Sequence, residues 1–160
     1  MTKRKINILD KIGTLIPGYN GYAGRDAKRN DDKKLRIEIS RVINQSEVLI
    51  EKHQHQLIKK GNLSLCHEWE TARKSLNTLF TKVKNATYGE SSFFSDNQIK
   101  ETELDEIYRF DCELAVRVNI ILRTTENEIA EINSLDTIMI ELIEINNILN
   151  QRATFINRFK

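Results

Sequence analysis

The sequence predicts an all-α fold, an antiparallel bundle of four long helices preceded by a short amphipathic N-terminal helix, and three observations carry that reading. Apolar residues recur at three- and four-residue steps over most of the chain, the period of a helix face turned to a core. The one proline and two of the six glycines fall together in Leu15-Ile16-Pro17-Gly18-Tyr19-Asn20-Gly21-Tyr22. Only one long internal segment, residues 87–102, breaks the periodicity.

The elements follow in order. Ile8, Leu9, Ile12, Leu15 and Ile16 share one face of residues 4–16, with Lys5, Lys11 and Thr14 elsewhere, and Pro17 ends the helix by fixing φ and lacking an N–H. The Pro-Gly-Tyr turn divides residues 1–24 from a helical body, 25–160, that is expected to form one domain with them. A second helix starts near Gly24 to Asp26, carries the stripe Leu35, Ile39, Val42, Leu49 and Leu57, and stops at Gly61. Asn62 or Ser64 caps a third helix with Leu65, Trp69, Ala72, Leu76, Leu79 and Val83 on its seam.

Thr102 followed by Asp105 resembles a capping box, after which Leu104, Ile107, Leu114, Val118, Ile121, Thr125, Ile129 and Ile132 form a fourth seam. Asn133-Ser134 offers a turn and a cap. Leu135, Ile138, Met139, Leu142, Ile145, Leu149 and Ile156 then mark a last helix. A continuous helix from 103 to 158 is the alternative.

With 160 residues the chain is long enough for one domain with a substantial core. No run approaches the roughly 20 apolar residues of a membrane span, and no signal peptide is legible, so a cytoplasmic location is expected. Cys66 and Cys112 stand apart, without metal-ligand spacing, and read as buried free thiols or as a bridge between neighbouring helices. Charge is segregated: residues 1–60 carry 14 Lys and Arg against 7 Asp and Glu, and residues 61–160 carry 11 against 16. A basic end of this kind matches the acidic end or faces an anionic partner.

Catalytic and cofactor signatures are missing from the pattern. The three histidines, His53, His55 and His67, are too few for a five-histidine diiron site and lack Glu-x-x-His spacing, so no metal and no cofactor is expected. Gly-x-Ser-x-Gly is absent, and Gly18, Gly21 and Gly24 follow a helix rather than a strand and lack the Lys-Ser/Thr of a phosphate cradle. No catalytic residue is therefore assigned.

The anomalous acid is Asp111, on the apolar stripe between Ile107 and Leu114, where a carboxylate must be paired or close to the edge. It reads first as a bridge to a basic residue of the second helix such as Arg41, and second as part of a polar pocket with Tyr108 and Tyr19 or Tyr22. Tyr19, Tyr22, Phe93, Phe94, Tyr108 and Asp111 together are the candidate contacts for a protein partner. Lys3, Arg4, Lys5, Lys11, Arg25, Lys28 and Arg29 are the candidates for an anionic surface. The stretch 25–36 reads first as a solvated helical face with i,i+4 pairs, and otherwise as a contact for a membrane or an acidic protein or as a phosphate-contacting surface for nucleic acid.

Ile16-Pro17-Gly18-Tyr19-x-Gly21-Tyr22 with Arg25-Asp26, Arg29, Asp32 and Leu35-Arg36 resembles the opening of a group of small uncharacterised bacterial α-helical proteins. Tyr88-Gly89, Phe93-Phe94 and Leu104-x-x-Ile107-Tyr108-x-Phe110-Asp111 resemble that group's mid-chain signature. The sequence departs from it at Glu90-Ser91-Ser92, where small and aromatic residues are usual. The resemblance implies a helical fold and no particular activity. The expected function is a non-catalytic bundle acting through protein–protein contacts, self-association included. The alternatives are a peripheral adaptor docking its basic N-terminal helix on anionic membrane and, ranked lower, a nucleic-acid-binding protein.

Overall fold

The computed structural model describes residues 3–21, 25–86, 99–127 and 129–159, with the backbone alone for 3–7 and 25–28. These residues form α1 (Lys3–Leu15), α2 (Arg25–Lys59), α3 (Leu63–Lys84), α4 (Glu101–Asn127) and α5 (Ser134–Asn157), and no strand occurs among them. The all-α class read from the periodicity is the class observed.

Local chemistry sets the helix ends. Gly61, at φ +73°, lets α2 close in a left-handed residue: Asn62 N donates to Leu57 O at 2.9 Å and Gly61 N to Ile58 O at 3.0 Å, filling carbonyls that the helix leaves open. Asn62 then caps α3 by accepting from Leu65 N at 3.3 Å. The capping box of α4 sits earlier than Thr102-Asp105 predicts. Glu103 Oε2 reaches back to Lys100 N at 2.8 Å, so Lys100 takes the cap position and Glu103 the acidic one.

α4 and α5 are separate helices. The fourth seam ends before its expected limit, for α4 stops at Asn127 and Ile132 stands 94% exposed in the connection. Ser134 closes that connection by donating to Glu131 O at 2.7 Å and Ile129 O at 3.0 Å.

Packing follows the apolar faces. α2 lies against α3 and α4, α5 lies against α4 and α3, and α1 lies along α4, which places α2 and α5 at opposite corners. Paired residues give directions: Asp111 with Arg152 and Arg117 with Glu141 step oppositely along α4 and α5. Ser46 meets Thr125 at one level and Asp32 and Asp111 share Arg152 at another, so α2 and α4 point the same way.

One core joins all five helices, from Ile12, Ile16 and Tyr19 through Trp69, Leu76 and Leu114 to Ile145 and Ile156. The α3 seam is buried from Trp69 to Val83, as its spacing predicts. On α2 the stripe drifts: beyond Val42 and Ile43 it passes through Ser46, Ile50 and Gln54, leaving Leu49 half-buried. A straight helix drifts against a seven-residue repeat, and a helix this long displays the drift. Cys66 and Cys112 are half-buried free thiols, and their bridging alternative is not realised. No helix among the described residues is long and apolar enough to cross a membrane.

Candidate functional site: a buried ion-pair cluster

The acid that interrupts the α4 stripe is fully buried, at 0% exposure, and its partner is not Arg41. Arg41 lies on the outside of α2, where Nη2 and Nε hold Glu38 at 2.7 and 3.0 Å. Asp111 instead accepts from Arg152 of α5, Nε to Oδ1 at 2.7 Å, and from Tyr19 of the Pro-Gly-Tyr turn, Oη to Oδ2 at 2.6 Å. Arg41 leaves Asp111 to Arg152 because Arg152 projects from the inner face of α5, which packs directly on α4.

Arg152 carries the cluster on to α2. Its Nη2 stands 3.0 Å from Asp32 Oδ1, off the direction of a hydrogen bond, so this contact is Coulombic and Oδ1 is left without a hydrogen-bond partner. The other oxygen of Asp32 accepts from Arg36 Nε at 2.9 Å, and Arg36 Nη1 donates to Ala86 O, also at 2.9 Å. Two carboxylates and two guanidinium groups thus compensate one another in a chain that ties α2, α4, α5 and the end of α3. Buried charges are tolerated in such sets and strongly destabilising when one member is lost.

The turn is fastened at three points. Tyr19 holds Asp111, Asn20 N donates to Asp31 Oδ1 and Oδ2 at 3.3 and 3.2 Å, and Lys34 Nζ donates to Gly18 O. Burial pushes the Asp31 carboxyl above its ordinary range, with the Asn20 N–H and the Lys34 charge opposing. Gly21, at φ +85°, lies so close to Tyr108 that an added Cβ would sit 3.2 Å from its Oη. The turn therefore touches both α4 residues named from sequence.

Tyr19, Tyr108 and Asp111 are brought together, but in the interior, where they shape a surface rather than form one. Tyr22, Phe93 and Phe94 lie outside the described residues, as do the side chains of Lys3, Arg4, Lys5, Arg25 and Lys28. Lys11 and Arg29 are exposed, on α1 and α2. The apolar face of α1 is engaged inside the molecule through Ile12 and Ile16.

Sequence reasoning missed Arg152 and Asp32. Arg152 occupies the stripe Ile138, Leu142, Ile145, Leu149, Ile156, three residues past Leu149, the same anomaly that singled out Asp111. Asp32 falls three residues before Leu35 on the α2 stripe, hidden in a stretch read by composition as a solvated face. Matching stripe-borne opposite charges on different helices was the available signal.

The cluster presents no free acid–base pair, and among the described residues no group of three or more His, Cys, Asp or Glu side chains is arranged to hold a metal. A cleft of about 360 Å³ lies elsewhere on the α2–α3 face, lined by Lys33, Arg36, Ile37, Ser40, Phe80 and Lys84. Against known proteins, no family model, no curated protein and no solved structure matches this chain.

Proposed function

We propose that this chain is a non-catalytic helical module that works through protein–protein contacts made by the outer faces of the bundle. The observation that supports the reading most is the outward placement of large apolar side chains on opposite corners: Ile37 on α2 is 57% exposed, and Ile140 and Ile143 on α5 are each 58% exposed. Single exposed apolar residues are ordinary, but Ile140 and Ile143 are neighbours one helical turn apart on one face. The buried ion-pair cluster supports the same reading, since its charged groups are engaged in holding helices together. Docking on lipid through α1 is less favoured, because Ile12 and Ile16 must leave α4 before that face meets a bilayer.

The test is cross-linking in the cells of origin with tagged wild-type chain and a variant carrying Ile37→Lys, Ile140→Lys and Ile143→Lys. These positions lie outside the core, so the variant should melt within a few degrees of wild type. The reading expects discrete adducts on the wild-type chain that are lost in the variant. No adducts, or adducts indifferent to all three substitutions, would contradict it.

A further inference from the structure

We infer that the cationic cleft between α2 and α3 receives the acidic outer face of α5 from a second copy of this chain, so that copies join head to tail. This rests on the protein–protein reading above and names the partner. On the receiving side, Lys33, Ile37 and Ser40 follow one another at i, i+4 and i+7 along α2, and Phe80 and Lys84 stand at i and i+4 on α3. The cleft thus combines apolar and cationic side chains. Lys84 Nζ lies 5.4 Å from the centre of the Phe80 ring, and neither Lys33 nor Lys84 enters an ion pair among the described residues. Arg36 is held by Asp32, so that among the described residues the two lysines are the cationic groups of the cleft outside an ion pair.

On the donating side, Asp136, Ile140, Ile143 and Glu144 fall at i, i+4, i+7 and i+8 of α5, so two apolar side chains are flanked by an acid at each end. Neither acid is engaged in an ion pair among the described residues; the acid of α5 that is so engaged, Glu141, is held by Arg117 at 3.0 Å. The two faces are similar in length and opposite in charge, and each carries two large apolar side chains. The cleft lies on α2 and α3 and the acidic face on α5, so each copy carries one donor and one acceptor on different helices. A contact of that kind is heterologous, giving a ring if the rotation closes and an open chain if it does not.

The experiment is sedimentation velocity on the full chain across a wide concentration range, at low and high salt. Wild type is expected to associate beyond a dimer, less so at high salt because the lysines of the cleft are exposed. Two variants reverse the faces separately: Lys33→Glu with Lys84→Glu, and Asp136→Lys with Glu144→Lys. Each alone is expected to lose association about tenfold or more, by placing like charges opposite one another. An equimolar mixture of the two is expected to regain it, since each then meets a partner of opposite sign. Circular dichroism melts confirm that both variants remain folded. A chain monomeric at every concentration, association that ignores both charge reversals, or a mixture that stays apart would overturn the inference. A monomeric wild type that still yields adducts sensitive to the Ile37, Ile140 and Ile143 substitutions would do so while leaving the broader reading intact.

Discussion

Arg152 of α5 donates through Nε to Asp111 of α4 at 2.7 Å, with both side chains sealed from solvent. The pair is the centre of a chain of charges that runs outward to Asp32 and Arg36 on α2 and to Tyr19 in the turn. Hydrophobic faces bring the helices together without fixing their register closely, whereas directional bonds between opposed charges are met at one register only. The N-terminal helix and its turn are joined to the body by the same residues, so a bond lost from the cluster loosens both.

Tyr19→Phe removes a hydroxyl and little volume. It takes one donor from Asp111 Oδ2 in a buried setting, and the expected loss is about 1–3 kcal/mol of unfolding free energy. Chemical denaturation measures it, and amide exchange in α1 is expected to accelerate in parallel because the turn's hold on α4 is weakened. An unchanged midpoint and unchanged exchange would show that the hydroxyl is not bonded in solution.

Two glycines with positive φ separate backbone strain from crowding. Gly61, at φ +73°, has nothing within 4 Å of an added Cβ, so Gly61→Ala is expected to lose about 1–2 kcal/mol for left-handed geometry alone. Gly21, at φ +85°, would also press a Cβ to 3.2 Å from Tyr108 Oη and 3.3 Å from Leu9 Cδ2. Gly21→Ala is therefore expected to be the more damaging in a paired thermal melt, and equal losses would show that the turn does not press on Tyr108.

His53 stands edge-on to Trp69 with ring centroids 5.2 Å apart, and desolvation, with the Lys60 charge second, holds its pKa below the ordinary 6.5. A histidine depressed in the folded state binds fewer protons there than in the unfolded chain. Its contribution to stability is therefore complete above pH 6.5 and declines as pH falls from 6.5 through the folded-state value. Trp69 is the one tryptophan of the chain, so its fluorescence reports the imidazole directly. The titration should have its midpoint below 6.5, and His53→Gln should abolish it.

Much of the fold is legible because helical periodicity is a local property. Trp69 to Val83, or Ile138 to Ile156, declare their buried faces without knowledge of any neighbour. The stop at Gly61 and the cap at Asn62 are local for the same reason. The α4 terminus is less legible, since Ile132 keeps the seam's spacing while Ser134 pulls the chain into a turn through the carbonyls of Ile129 and Glu131. The polar cluster is the least legible part. Asp111 is conspicuous on its own stripe, but the choice of Arg152 over Arg41 depends on which faces of α2 and α5 point inward. That is decided by three helices packing at once, and the drift of the α2 stripe from Leu49 to Ile50 belongs to the same class of effect.

Asp111 and Arg152 form a structural lock whose members depend on each other. The decisive measurement is a double-mutant cycle in chemical denaturation, with Asp111→Asn, Arg152→Gln and the two combined. Each single substitution takes one charge out of the buried set and breaks the bond between the two residues, and is expected to cost about 3–5 kcal/mol, with the double variant losing clearly less than the sum. Additive losses within about 0.5 kcal/mol would show two independent residues and would contradict the lock.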